Sequence, residues 1–325
     1  MAPPKLLPLL LNLSLTPAMA ASLPSLTVSH SASGATLTIY PYGATITSWR
    51  AAGGREVLFT SSRASFDGSR PIRGGIPLAF PQFAAQGALP MHGFARTCTW
   101  AVASHGDGFV ALALADDAAT RALWPHAFAL EYRAEFDGTR LTTTLAVRNT
   151  GAAPFSFEAL QHTYIAGGAG AVAAGGGGPL AVRGLRGARF FDKAAGGAEG
   201  VQEAEDVRFG EETDRIYLAP EAGAVEVRGV AGGGGAVVVV ARRGLVGGAG
   251  GGAGGPPDAP REVPLDLVVW NPGPLRAAAI ADLGPEDWRE YVCVEPGRVS
   301  KATAEFGALA PGQHFMLTQV LEVRA

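Results

Sequence analysis

The chain has 325 residues, 47% of them hydrophobic and 17% charged, with a net charge of -3 and an isoelectric point near 6.1. That is enough apolar material for a sizeable core, and no basic block or polybasic run supplies a nucleic-acid footprint or a membrane-surface patch. Its two cysteines, Cys98 and Cys293, give neither a zinc spacing nor a disulfide framework. Both lie in apolar, strand-like surroundings and read as buried free thiols.

Residues 1–22 read as a leader or disordered tail. Lys5 precedes an apolar stretch from Leu6 to Leu15, and Ala18-Met19-Ala20 looks like a small-residue cleavage site. The stretch is too short to span a bilayer and Pro8 interrupts it. No acidic residue precedes Glu56, as in organelle transit peptides, but no arginine precedes Arg50 either. Removal of this segment would mean import or secretion; its retention would favour the cytosol.

From residue 23 onward the dominant pattern has a period of two. Leu37 and Ile39 alternate with threonines, and Ile46 and Trp49 follow Gly43. Phe128, Leu130, Tyr132, Ala134 and Phe136 share one face of a run that Asp137-Gly138 then turns, and Leu141, Thr143, Leu145 and Val147 return. Further strands are expected at 224–230, 236–243, 265–270, 291–295 and 314–323, with a short helix over Gly284–Glu290. Many antiparallel strands with turn chemistry between them imply a single all-β domain over 23–325, a large β-sandwich with few short helices. Glycine is about twice its usual share of ~7%, concentrated at 166–178, 194–200, 231–235 and 245–255, which read as flexible insertions into turns.

Four segments carry possible chemistry. In RGGIPLAFPQF, residues 73–83, glycines permit close backbone approach and prolines exclude a central strand, so the segment should form a fixed ledge presenting Arg73. MHGFART, residues 91–97, adds His92 and Arg96. Two arginines on irregular segments suit a dianion such as phosphate, or else each caps loop carbonyls or pairs with a carboxylate. FSFEALQHTY, residues 155–164, puts Glu158, His162 and Tyr164 on one face. A histidine there can exchange a proton near neutrality, or be a satisfied structural residue. YVCVEPG, residues 291–297, puts Tyr291, Cys293 and Glu295 on one face and Pro296-Gly297 at the strand's end. Glu295 is then either solvated or held in a pocket where it gains basicity. Asp214, and Trp270 as a core or sugar-stacking ring, complete the set.

Taken together, RGGIPLAFPQF, LPMHGFAR, LWPHAF, ALQHTY, TDRIY, VVWNP, ADLG and YVCVEPG resemble the glucose-6-phosphate 1-epimerase branch of the aldose 1-epimerase (galactose mutarotase-like) family over residues 25–325. The resemblance implies a β-supersandwich that interconverts the α and β anomers of a hexose 6-phosphate without a metal or organic cofactor. It implies Glu295 as the base and His162 as the acid. Arg73 and Arg96 would bind phosphate, while Gln82, His92, Asp214 and Trp270 would surround the sugar; Lys193, beside Asp192, would add positive charge. It further implies a cytoplasmic enzyme, and the absence of an assembly signature a monomer, with no nucleic-acid or membrane partner. Two other readings remain open on the sequence: a mutarotase for unphosphorylated aldoses, and a non-catalytic sugar-phosphate-binding domain.

Overall fold

The computed structural model describes residues 22–168, 170–231, 237–248, 259–300 and 307–324. The leader expected over 1–22 therefore lies, apart from Ser22, outside the described residues, as do most of the glycine runs at 231–235 and 245–255.

The hairpin expected around Asp137-Gly138 forms between strands Phe128–Phe136 and Arg140–Asn149, in register from Phe128 opposite Asn149 to Phe136 opposite Leu141. Asp137 fixes the turn, because its carboxylate accepts the backbone N–H groups of Thr139 and Arg140 at 2.7 and 2.9 Å. All five apolar residues on one face of the first strand are buried, while Glu131 and Glu135 on the other are exposed. The hairpin belongs to a ten-stranded antiparallel sheet whose centre is the last strand, His314–Arg324, between Arg140–Asn149 and Val237–Gly247.

A second sheet has eight strands. Its central strand, Tyr291–Arg298, is buried at every position, so both its faces are covered. A three-stranded sheet over Leu26–His30, Ala35–Tyr40 and Thr45–Arg50 adds Leu37, Ile39, Ile46 and Trp49 to the common core. The architecture is the expected all-β, mainly antiparallel sandwich. The two short α-helices among the described residues, Ala118–Leu123 and Gly273–Ala278, were not legible from periodicity, because six residues are too few to establish one. The helix expected over Gly284–Glu290 shrinks to one 3₁₀ turn at Asp287–Arg289. Among the described residues no helix is long and apolar enough to cross a membrane.

Other expectations need correction. Pro296-Gly297 does not end its strand, which continues to Arg298. On one side the neighbouring chain changes over here: Tyr164 faces Cys293 and Leu160 faces Gly297, so Pro296 sits at the junction, where no ladder N–H is demanded of it. Cys98 is not in a strand; it is half-buried and ends the 3₁₀ turn Ala95–Thr97. Nor is the run at 166–178 open loop throughout, since Ala171 and Val172 are buried and Leu180 donates to the Ala171 carbonyl at 3.0 Å.

The RGGIPLAFPQF segment runs along the edge of the eight-stranded sheet. Leu78–Ala79 makes a two-residue edge strand on Gln161 and Leu160, while Ile76, Leu78 and Phe80 fill the core. Gly75 has φ +67°, and a Cβ there would overlap the carbonyl oxygen of Ile46. Close backbone approach thus requires glycine at this position.

Candidate active site

Strand register assembles the site. Asp214 lies opposite Trp270, Trp270 opposite Cys293, and Cys293 opposite Tyr164. Residues paired across antiparallel strands point to one side of the sheet. These four therefore form one rung, and the next is Ile216, Val268 and Glu295. His162 leaves the strand Ala159–Gln161 and is anchored by its N–H donating to the Pro77 carbonyl at 2.8 Å. The result is a cavity of about 180 Å³ whose lining includes Arg73, His92, His162, Lys193, Asp214, Trp270 and Glu295.

Three rings hold the His162 imidazole. It stacks on Tyr164 at 4.7 Å and 11° between planes, and meets Trp270 edge-on at 5.7 Å and His92 at 5.6 Å. Its Nδ1 is 3.3 Å from Oε1 of Glu295, and Glu295 is 1% exposed. Burial, and then the neighbouring His92 ring and the charges of Arg73, Arg96 and Lys193, pushes the His162 pKa well below its ordinary value. Burial, and then the Asp214 charge, pushes Glu295 well above the ordinary carboxylate value, partly opposed by Lys193. The two shifts make Glu295 a stronger base than a solvated carboxylate and favour a neutral imidazole, a pairing suited to moving a proton between two oxygens of one ligand.

The cationic end of the cavity is braced. Arg73 donates from Nε and Nη2 to one oxygen of Asp282, at 3.2 and 3.1 Å, and from Nη1 to the Tyr164 hydroxyl at 3.3 Å. That uses three of its five N–H groups and leaves two for an anion. Arg96 is not among the residues lining the cavity; its Nη2 donates to the Met91 carbonyl at 2.7 Å. Burial, and then repulsion from Arg73, lowers its pKa to about 10. Lys193 pairs with Asp214 at 3.0 Å and sits 5.1 Å over the Phe83 ring. His92, at φ +65°, accepts the Ala84 N–H through Nδ1 at 3.3 Å, so its proton resides on Nε2. Burial, then Arg96, Lys193 and Arg73, holds it neutral with a pKa near 3.

Gln82 departs from expectation. Its amide donates to the carbonyls of Ala84 and Leu89, both at 3.1 Å, and its oxygen accepts the Leu89 N–H at 3.0 Å. Both amide N–H groups and one oxygen lone pair are engaged by its own loop, and Gln82 is not among the residues lining the cavity. Asp282 and Tyr164 received no role from the sequence, although both fall inside quoted motifs, ADLG and ALQHTY. Glu158 is similar: it accepts the Phe83 N–H at 2.6 Å and pins the far end of the ledge. Arg276 and Glu212 also line the cavity and had no signal at all.

The aldose 1-epimerase family model matches residues 24–170. A protein of Escherichia coli assigned as a glucose-6-phosphate 1-epimerase is 32% identical over 266 residues, covering 80% of this chain and 78% of that protein. The chain belongs to the aldose 1-epimerase family. A second epimerase relative so assigned, from the plant Cenchrus ciliaris, is 29% identical over 289 residues, 85% of this chain and 78% of the relative. The solved structure of a mutarotase from Salmonella typhimurium superimposes with a TM-score of 0.69 at 27% identity, covering 93% of this chain and 91% of that one. An aldose 1-epimerase structure from Escherichia coli shares the epimerase fold at 15% identity, with a TM-score of 0.66 over 93% of this chain and 99% of its own.

Proposed function

We propose that the protein interconverts the α and β anomers of a hexose 6-phosphate, with glucose 6-phosphate, the sugar named for its relatives, as the first candidate. The observation that carries this reading is the buried His162–Glu295 pair, 3.3 Å apart, in the same cavity as the braced Arg73.

The chemistry balances on the pair alone. The reactive form carries the pair's single proton on His162, a form that the charge of a bound phosphate dianion favours, and Glu295 as carboxylate removes the proton of the C1 hydroxyl. The bond from C1 to the ring oxygen breaks, and its electron pair stays on that oxygen, which takes a proton from His162. The product is the open-chain aldehyde, a protonated Glu295 and a neutral imidazole. Rotation about the C1–C2 bond exposes the other face of the carbonyl, and the reverse transfers close the ring as the opposite anomer. The pair begins and ends with one proton, so no exchange with solvent is required. Trp270 and the neutral His92 bound the sugar, and the positive charge of Arg73 and Lys193, with that of Arg96 near Arg73, attracts the phosphate. Gln82 is given no contact with the sugar, because its donors and acceptor are already engaged.

The test is anomerisation of pure α-glucose 6-phosphate, corrected for the spontaneous rate. Either His162→Ala or Glu295→Gln should lower kcat by about 10²–10⁴-fold. Arg73→Ala should raise KM for the phosphorylated sugar while leaving free glucose nearly unchanged. Equal effects on both sugars would point instead to a mutarotase for unphosphorylated aldoses. Wild-type protein no faster than buffer would leave only sugar-phosphate binding.

A further inference from the structure

One nitrogen of His162, Sγ of Cys293 and one carboxylate oxygen of Glu295 lie within 4.8 Å of one another. In two of these three side chains a polar atom, His162 Nδ1 and Glu295 Oε2, is buried and has no hydrogen-bond partner. Leaving a buried polar atom unpaired costs about 1–3 kcal/mol, and folded proteins seldom do so without a reason. His162 and Glu295 line the cavity, so a small solute that enters it can reach these atoms. A bare metal ion fits that description.

The donors select its class. A thiolate, an imidazole nitrogen and a single carboxylate oxygen suit zinc-like cations, not magnesium or calcium, which take oxygen ligands. Thiolate and carboxylate together carry two negative charges, so a divalent cation bound to them and to neutral imidazole forms a complex with no net charge. Neutrality matters here, since Glu295 and Cys293 are almost wholly buried and Arg73 stands nearby. Binding displaces the protons of the thiol and the carboxylic acid. Zinc bonds of about 2.0–2.3 Å require the three donors to draw together on binding.

We propose that His162, Cys293 and Glu295 form an inhibitory site for a thiophilic divalent cation. Inhibition rests on the proton-transfer roles given above to His162 and Glu295, because the ion occupies both groups; binding itself does not depend on them. Cys293 takes no part in the reaction and is the residue that separates the two ideas.

The experiment titrates cobalt(II) into wild-type protein, Cys98→Ala and Cys293→Ala, reading the thiolate-to-cobalt charge-transfer band in the near ultraviolet. Zinc inhibition of anomerisation is measured on the same proteins. The band should form in wild type and Cys98→Ala and be missing in Cys293→Ala. Cys293→Ala should keep its activity without zinc and need about tenfold more zinc, or beyond, for half-inhibition. Magnesium at the same concentration should not inhibit. Should Cys293→Ala fold poorly by circular dichroism, Cys293→Ser serves in its place. No band in any protein, or a band or zinc sensitivity indifferent to Cys293, overturns the site while leaving the epimerase reading intact. A Cys293-dependent band with undiminished turnover overturns the inhibition and counts against the roles of His162 and Glu295.

Discussion

The imidazole of His162 lies flat on the phenol ring of Tyr164, 4.7 Å between centroids, while the hydroxyl of that same tyrosine accepts a hydrogen bond from Arg73 at 3.3 Å. One side chain therefore touches both the group proposed to move protons and the group proposed to hold the phosphate. Asp282, on the far side of Arg73, completes the brace.

This relationship makes Tyr164 a positioning residue with separable parts. Tyr164→Phe keeps the ring stack and deletes only the bond to Arg73. A hydrogen bond to a charged group contributes about 1.5–3 kcal/mol, so KM for glucose 6-phosphate should rise by roughly 10- to 150-fold with kcat changed little. Tyr164→Leu removes the ring as well and should also depress kcat. Steady-state kinetics on both variants check this; a Phe variant that loses kcat and not KM would contradict the assignment.

Glu295 should diminish stability at neutral pH. Its folded pKa is raised, chiefly by burial. Between the unfolded value of about 4.3 and the folded value, the native protein keeps a proton that the unfolded chain has released. This group's contribution to stability is thus fullest below about pH 4.3 and declines as pH rises through the folded value. Glu295→Gln should raise Tm at pH 7–8 while lowering turnover, with the gain shrinking as the pH falls towards 4. The His162 shift has the opposite consequence. Its depressed pKa makes the native state lose stability as pH falls below the unfolded value of about 6.5. Thermal melts of the wild type, Glu295→Gln and His162→Ala across this range separate the two effects.

Glycine substitutions should differ sharply despite similar backbone angles. Gly34 has φ +70° with nothing near a would-be Cβ, so Gly34→Ala should cost only the left-handed penalty of about 1–2 kcal/mol. Gly75 has φ +67° but a Cβ would overlap Ile46, and Gly93 has φ +70° with Phe80 in the way. Gly75→Ala and Gly93→Ala should each cost well over that, displace the ledge and reduce soluble yield. Urea denaturation of the three variants provides the comparison.

Gln82 supplies the control for the phosphate and sugar contacts. Gln82→Ala strands the N–H of Leu89 and two loop carbonyls, so stability should fall by about 1–3 kcal/mol. Any loss of activity should affect glucose and glucose 6-phosphate alike. A selective loss on one sugar would return Gln82 to the binding site.

The comparison of sequence with structure turns on distance along the chain. The hairpin at Asp137-Gly138, the buried face from Phe128 to Phe136 and the pairing of His162 with Tyr164 were legible, because alternation and turn chemistry are local properties of the backbone. The motifs also located Arg73, His92, His162, Lys193, Asp214, Trp270 and Glu295, all of which the fold brings to one cavity. Local pattern failed where a residue's partner is remote. Pro296 looked like a strand end because nothing near it in the chain reveals that the adjacent strand changes there. Gln82 looked free to meet a ligand because its hydrogen bonds depend on how the loop to Leu89 closes. Asp282 is 209 residues from Arg73.

By itself the sequence determined which face each side chain takes along its own strand, and therefore the all-β class and the identity of the chemically capable residues. Only the tertiary structure decided that Tyr164, Cys293, Trp270 and Asp214 share a rung and that His162 meets Glu295 beside it. The reason is physical: side-chain direction follows from a strand's own two-residue period, whereas register between strands is a property of the entire hydrogen-bonded sheet.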